Sequence, residues 1–144
     1  MFDEVREVVR SALDGFRVCI FAYGQTCAGK TYTMEGGATE ETMGLVPRSV
    51  RMIFETLEKY ESEDWKKVQV HLSCFEIHIE TVRDLLDTGK EQVQIMTNQN
   101  IFKPTEIEVR NFGDVEFVLR KARENRKVAQ TGMNSQSSRS HCIY

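Results

Sequence analysis

Gly24-Gln25-Thr26-Cys27-Ala28-Gly29-Lys30-Thr31 fits the pattern G-x-x-x-x-G-K-[ST], and its flanks decide the fold. Before it runs Phe16-Arg17-Val18-Cys19-Ile20-Phe21-Ala22-Tyr23, a short β-branched and aromatic stretch between Gly15 and Gly24. Such a run reads as a buried strand. After it come Tyr32, Thr33 and Met34, which open a helix. Strand, glycine-bounded loop and helix start make the setting in which this loop cradles phosphate. Gly24 and Gly29 permit backbone conformations closed to other residues. The loop can therefore turn its N–H groups inward around an anion. Lys30 supplies a point charge for the outer phosphates, and Thr31 a hydroxyl for a magnesium ion. A chance match in a glycine-bearing turn would need neither the strand nor the helix.

The 144 residues suffice for one domain with a core. Hydrophobic residues make up 40% and charged residues 28%, the balance of a soluble globular chain. A net charge of −3 gives no global field for nucleic acid. Cys19, Cys27, Cys74 and Cys142 lie far apart, without metal-ligand or C-x-x-C spacing. No leader and no membrane-length apolar run is visible, so a cytoplasmic chain with reduced thiols is expected. Cys27, beside Lys30 and a helix start, is a candidate reactive thiol. A small filler is the commoner use of that position.

Residues 2–14 read as an amphipathic helix with Phe2, Val5, Val8, Val9, Ala12 and Leu13 on one face. Gly36 to Gly44 is polar and reads as a flexible loop. A helix is expected from Val46 to Lys59, with Pro47 in its first turn and Val46, Val50, Ile53, Phe54 and Leu57 inward. Residues 60–67 are charged and expected to be solvated. Val68, Val70, Leu72 and Cys74 alternate as in a strand, and the alternation then shifts to Phe75, Ile77 and Ile79. Thr81 to Leu86 reads as a helical turn. Val93 to Met96 and Ile107 to Val109 are short strand candidates. Asn111 with Asp114 opens a helix whose core face is Val115, Val118, Leu119, Ala122 and Ala129. Its basic residues, Arg120, Lys121, Arg123, Arg126 and Lys127, form a partner surface or, more commonly, a solvated face. Finally, Asn134-Ser135-Gln136-Ser137-Ser138-Arg139-Ser140-His141 suits no core pattern. It is either a hydrophilic loop or a nucleotide sensor, with hydroxyls for metal and γ-phosphate. His141 to Tyr144 begins another strand.

Together these stretches resemble the kinesin motor domain, along essentially the whole chain. Phe21-Ala22-Tyr23-Gly24-Gln25-Thr26 with Gly29-Lys30-Thr31-Tyr32-Thr33-Met34 is similar to the family's phosphate-loop signature. Asn134 with Ser137-Ser138-Arg139-Ser140-His141 is similar to its first switch. Gly44-Leu45-Val46-Pro47-Arg48, Phe75-Glu76-Ile77 and Asp84-Leu85-Leu86 match further family blocks. Ser11 to Gly15 ahead of Val18-Cys19-Ile20 looks most like the class with C-terminal, minus-end-directed motors.

The resemblance implies an α/β phosphate-loop NTPase fold, with a mostly parallel central sheet and flanking helices, as one partial motor domain over residues 1–144. It implies ATP and Mg2+ as cofactors, microtubules as the partner of the complete motor, and a cytoplasmic, cytoskeletal location. Nucleic acid and membrane are not expected partners. Gly24, Gln25, Thr26, Cys27, Ala28, Gly29, Lys30 and Thr31 would hold the phosphates, and Tyr32 would lie near the adenine. Thr31 and Ser138 would face the metal. Ser137 and Ser138 would position water and γ-phosphate, Asn134 would order the switch, and Arg139 would pair with a glutamate of a second switch. The second switch, the N-terminal strand, the microtubule-binding helices and a dimerisation region are not found in these residues. His78 and Ile79 stand where tyrosine and asparagine are usual, which alters local hydrogen bonding.

Two consequences are expected. Chain 1–144 alone should turn over ATP negligibly, since Arg139 lacks its glutamate. Val18 to Ala22 should find few or no ladder partners, because the neighbouring strands of the family fold come later. A non-catalytic module that binds nucleotide or a partner is the alternative function. A GTPase would show an Asn-Lys-x-Asp motif, which is absent, and the Ser-Ser-Arg-Ser-His run does not suit a small-molecule kinase.

Overall fold

The computed structural model describes residues 2–37, 39–61, 68–89, 93–94, 102–131 and 140–144. The chain forms two compact units, Met1–Val68 and Gln69–Tyr144.

In the first unit, α1 (Phe2–Leu13) packs on α3 (Leu45–Glu61), as does the short α2 (Lys30–Glu35). Asp3 and Glu4 lie in the first turn of α1, where acidic side chains meet the positive end of the helix. At its other end the chain turns through Gly15, with Phe16 N–H donating to the Ser11 carbonyl at 3.0 Å. Val9, Leu45 and Pro47 are buried, but much of the expected α1 face stays partly open. Residues 16–24 form no strand among the described residues. Phe16, Phe21 and Tyr23 are 69%, 78% and 94% exposed.

The expected absence of ladder partners for Val18 to Ala22 therefore holds. The expected burial of Phe16 to Tyr23 does not. Buried in isolation, each unpaired N–H or C=O would cost about 1–3 kcal/mol. Lying open, the same groups bond to water.

The stretch read as a flexible loop, from Gly36 to Gly44, is instead tightly closed where it is described, at residues 36–37 and 39–44. Gly36 caps α2 at φ 77°, and its backbone bridges Met43. A Cβ on Gly36 would sit 2.1 Å from the Gly44 nitrogen, and one on Gly44 2.5 Å from the Gly36 nitrogen. Only two glycines allow the backbones to approach so closely. Arg48 then fastens the loop, donating to the carbonyls of Met43 (2.7 Å), Glu40 (2.9 Å) and Glu41 (3.2 Å). Arg51 pairs with Glu40.

The second unit contains β1 (Val70–Leu72), β2 (Phe75–His78), β3 (Thr81–Asp84), β4 (Val93–Gln94), β5 (Ile107–Val109), α4 (Phe112–Thr131) and β6 (Ser140–Ile143). One sheet runs β4-β3-β2-β6, and β1 pairs separately with β5. Every described ladder is antiparallel. The mostly parallel sheet expected from the family is thus not what these strands form. The segment that would be its centre, residues 16–24, pairs with none of them. The shift of alternation near Cys74 marks the step from one sheet to the other.

Thr81–Asp84 is a strand, not the expected helical turn. Its pairing with β2, from Phe75↔Asp84 to His78↔Thr81, outweighs local preference. The two-residue turn between them places Ile79 at φ 56°, a conformation that suits glycine or asparagine far better than a β-branched side chain.

Asn111 opens α4 as expected. Its Oδ1 accepts from Asp114 N–H at 3.0 Å, while Asp114 Oδ2 accepts from Arg110 N–H at 2.9 Å. Val115, Val118, Leu119 and Ala122 are buried, as their spacing requires. Ala129 and Met96 lie outside the described side chains, and residues 62–67 outside the described residues.

Candidate functional site

The loop after Tyr23 starts at Gly24, whose φ of 156° is one that side-chain-bearing residues rarely adopt, and closes on itself, with Ala28 N–H donating to the Gln25 carbonyl at 3.2 Å. Gly29 adopts φ 83° at the N-cap of α2, and a Cβ there would meet nothing within 4 Å. The space beside the Gly29 α-carbon is therefore open. Cys27 also lies in the left-handed region, at φ 65°. For a residue with a Cβ this costs about 1–2 kcal/mol. The position read from sequence as tolerant thus has a glycine-like backbone.

Lys30 folds back over the loop. Its Nζ donates to the carbonyls of Gly24 and Gln25, both at 2.7 Å. An ammonium has three donors, so one remains for a phosphate oxygen. Two carbonyl contacts also fix the long side chain, which lowers the entropy lost when an anion arrives. Behind it, α2 spans only six residues, with Thr33 N–H donating to the Gly29 carbonyl at 2.8 Å. The first-turn N–H groups are positioned for an anion, but a helix this short contributes little dipole. Thr31 is exposed, and Tyr32 is 60% exposed. Gln25, Thr26, Cys27, Ala28 and Gly29 are likewise open to solvent. An exposed loop, a tethered ammonium and an accessible hydroxyl fit a magnesium-bound polyphosphate.

Of the serine-rich stretch, Asn134, Ser137, Ser138 and Arg139 lie outside the described residues. Ser140 and His141 are placed on β6, in register with His78 and Ile77 of β2. Ser140 is held by Arg126, whose Nη2 donates to its Oγ at 3.3 Å. Arg126 Nε also donates to Glu76 Oε1 at 3.1 Å, the two side chains being 15% and 6% exposed. Burial lowers the affinity of this guanidinium for its proton, but negative charge nearby, on Glu76 and on the Cys142 sulfur once it ionises at high pH, outweighs that, so the guanidinium stays charged.

Sequence reasoning missed this buried pair and the related anchors on α4. Lys121 Nζ donates to the Leu86 carbonyl at 2.8 Å, and Asn125 Nδ2 to the Leu85 carbonyl at 2.7 Å. Part of the basic run is therefore structural. Asp84 was missed too. It is 3% exposed and accepts from the N–H groups of Leu86 (2.8 Å), Asp87 (3.1 Å) and Thr105 (2.7 Å). Burial pushes its pKa up, yet the combined donors hold it below the usual carboxylate value. The available signal was a carboxylate beside apolar residues, Glu76 between Phe75 and Ile77 and Asp84 directly before Leu85 and Leu86. Both demand buried partners.

Cys74 is buried, Cys142 half-buried, and Cys19 and Cys27 exposed, and none of the four forms a disulfide. Among the described residues no cluster of His, Cys, Asp and Glu could hold a metal, and no helix is long and apolar enough to cross a membrane.

The loop and its tethered lysine have the form of a phosphate loop, the mark of a phosphate-loop NTPase fold. The family profile described as the kinesin motor domain matches residues 1–144, and the chain belongs to that family. Over its whole length it is 42% identical to the Arabidopsis thaliana kinesin-like protein KIN-14M. It is 38% identical to carboxy-terminal kinesin 2 of Xenopus laevis and 40% identical to the human kinesin-like protein KIFC1. The chain spans 21%, 24% and 23% of those three proteins, less than a quarter of each.

Proposed function

We propose that this chain is the ATP-binding part of a kinesin-like microtubule motor, in which ATP hydrolysis is coupled to movement along microtubules. The observation that carries the reading is Lys30, tethered in the mouth of an open glycine loop within a chain of this family. The likeness to carboxy-terminal kinesin 2 supports the C-terminal motor class. Microtubules would be the partner, and the cytoplasmic cytoskeleton the location.

In the proposed site, residues 24–31 hold the phosphates of ATP, with Thr31 and Ser138 facing Mg2+ and Tyr32 beside the adenine. Bound Mg-ATP would supply the scissile phosphoryl group and its charge neutralisation. The chain's own part is to bind and orient. The loop N–H groups and Lys30 stabilise negative charge on the outer phosphates. Ser137 and Ser138 orient the attacking water, Asn134 orders that segment, and Arg139 engages a carboxylate of a second switch. In the complete motor a mostly parallel sheet would form around residues 16–24, supplying the strand neighbours that this segment lacks here.

A second reading is supported by that segment's open backbone: a non-catalytic module that binds nucleotide or a partner. Microtubule-stimulated phosphate release separates the two. The full-length protein should turn over ATP, Lys30→Ala should abolish turnover, and chain 1–144 alone should give none. Robust turnover by residues 1–144 alone would refute the division of labour. A full-length protein that binds but never hydrolyses would favour the module.

A further inference from the structure

In the first unit, contacts mark off a stretch of backbone from both sides. Phe16 N–H donates to the Ser11 carbonyl at 3.0 Å, and the Gly24 carbonyl accepts from Lys30 Nζ at 2.7 Å. Between them lies Arg17-Val18-Cys19-Ile20-Phe21-Ala22-Tyr23. Among the described residues this stretch makes no backbone–backbone hydrogen bond, and none of its residues has a positive φ. Residues 18–23 are uncharged, hold neither proline nor glycine, and are rich in β-branched and aromatic side chains. That is the composition of segments that pair as strands between chains. Phe21 and Tyr23 lie 78% and 94% exposed.

We propose that residues 17–23 dock on the same residues of a second copy of this chain, as antiparallel strands centred on Ile20. The sequence is complementary to itself in that register. Arg17 stands opposite Tyr23, Val18 opposite Ala22, and Cys19 opposite Phe21. Each large side chain meets a smaller one, and each guanidinium meets an aromatic ring, twice per pair. Parallel pairing in register would instead set Arg17 against Arg17, like charges directly opposed. Area decides how far association runs. With aromatic side chains burying roughly 150–250 Å² each, Phe21 and Tyr23 offer on the order of 300–400 Å² per copy, so a pair falls short of the roughly 1,000 Å² of a stable interface. A pair still leaves one edge of each strand free, and a two-stranded ribbon is marginal where three or more strands are stable. Association therefore continues past the pair into open oligomers. None of this depends on the nucleotide reading. In a complete motor the strands flanking residues 16–24 would take the same two edges, so the test uses chain 1–144.

Sedimentation velocity of chain 1–144 without nucleotide, from nanomolar to high-micromolar concentration, should show monomer giving way to growing oligomers. Amide hydrogen exchange at residues 18–22 should slow in the concentrated samples only. Phe21→Lys changes a side chain that is already exposed. It should keep the helical circular dichroism and hold the chain monomeric across the range. Arg17→Ala should raise the concentration needed for association by roughly five- to thirtyfold, the effect of two cation–ring contacts per pair. Easier association of Arg17→Ala would mean that like charges had been opposed, and would overturn the antiparallel register. A chain that stays monomeric throughout, or that associates while residues 18–22 exchange at an unchanged rate, overturns the proposal. So does a folded Phe21→Lys variant that associates as readily as the unaltered chain.

Discussion

Replacing Asp84 tests how the second unit is held together. The carboxylate receives three backbone N–H groups, and the donor of Thr105 comes from 21 residues away. Asp84→Ala leaves those donors without their acceptor. An unsatisfied buried donor costs about 1–3 kcal/mol, and the amides of Asp87 and Thr105 are near enough to water to fall at the low end. The sum is about 3–5 kcal/mol, a large share of the roughly 5–15 kcal/mol typical of a domain. Asp84→Asn keeps one acceptor oxygen but loses the charge and the second acceptor, for a loss of about 2 kcal/mol.

The pH dependence has a defined sign. The folded-state pKa of Asp84 is depressed, so its contribution is complete above the unfolded carboxylate value of about 3.9. It is lost as pH falls through the lower folded-state value. The gap between wild type and Asp84→Asn should therefore be widest at neutral pH and narrow in acid. Urea unfolding followed by far-ultraviolet circular dichroism gives the stabilities, and amide hydrogen exchange at Leu86 and Thr105 reports the lost bonds directly. If Asp84→Ala unfolds within about 1 kcal/mol of wild type, with Thr105 still protected from exchange, the reasoning is refuted.

Glu76, Gly44 and Cys27 offer three further sites for substitution. Glu76→Ala strands Arg126 in a site where it is only 15% exposed, and should cost about 3–5 kcal/mol in urea unfolding. Glu76→Ala combined with Arg126→Leu should recover much of that loss, because no unpaired charge remains. Gly44→Ala drives a Cβ to 2.5 Å from backbone atoms of Gly36 and Met34, so it should cost at least about 1–3 kcal/mol and open the loop to limited proteolysis. Cys27→Gly relieves a left-handed backbone worth about 1–2 kcal/mol, against about 0.5–1 kcal/mol of added unfolded-state freedom. It should stabilise the loop by about 0.5–1 kcal/mol and tighten nucleotide binding a few-fold, whereas Cys27→Val should do the reverse.

The helices and the phosphate loop were legible because their signals are local. The face of Val115, Val118, Leu119 and Ala122 follows from a 3.6-residue period, and Asn111 with Asp114 announces the start of α4 three residues at a time. What was not legible depends on distant partners. Thr81 to Asp84 is a strand because β2 lies beside it, and nothing in those four residues alone says so. The apolar run Phe16 to Tyr23 encodes a preference for neighbours, not their presence. Polarity suggested a flexible loop over residues 36–44. Two glycines in contact and one arginine on three carbonyls made it closed. The Glu76–Arg126 pair spans 50 residues and leaves no periodic trace.

Whether one nucleotide engages both the glycine loop and the serine run is the question on which the rest depends. ATP carrying an aryl azide on its γ-phosphate, activated by light in the presence of Mg2+, would mark the side chains around that group, and mass spectrometry of the peptides would locate them. Labelling should fall both on the peptide containing Lys30 to Met34 and on the one containing Asn134 to Arg139. Excess ATP and Lys30→Ala should each suppress it. Labelling that reaches the loop but never the serine run, or that survives Lys30→Ala, would contradict a shared nucleotide site.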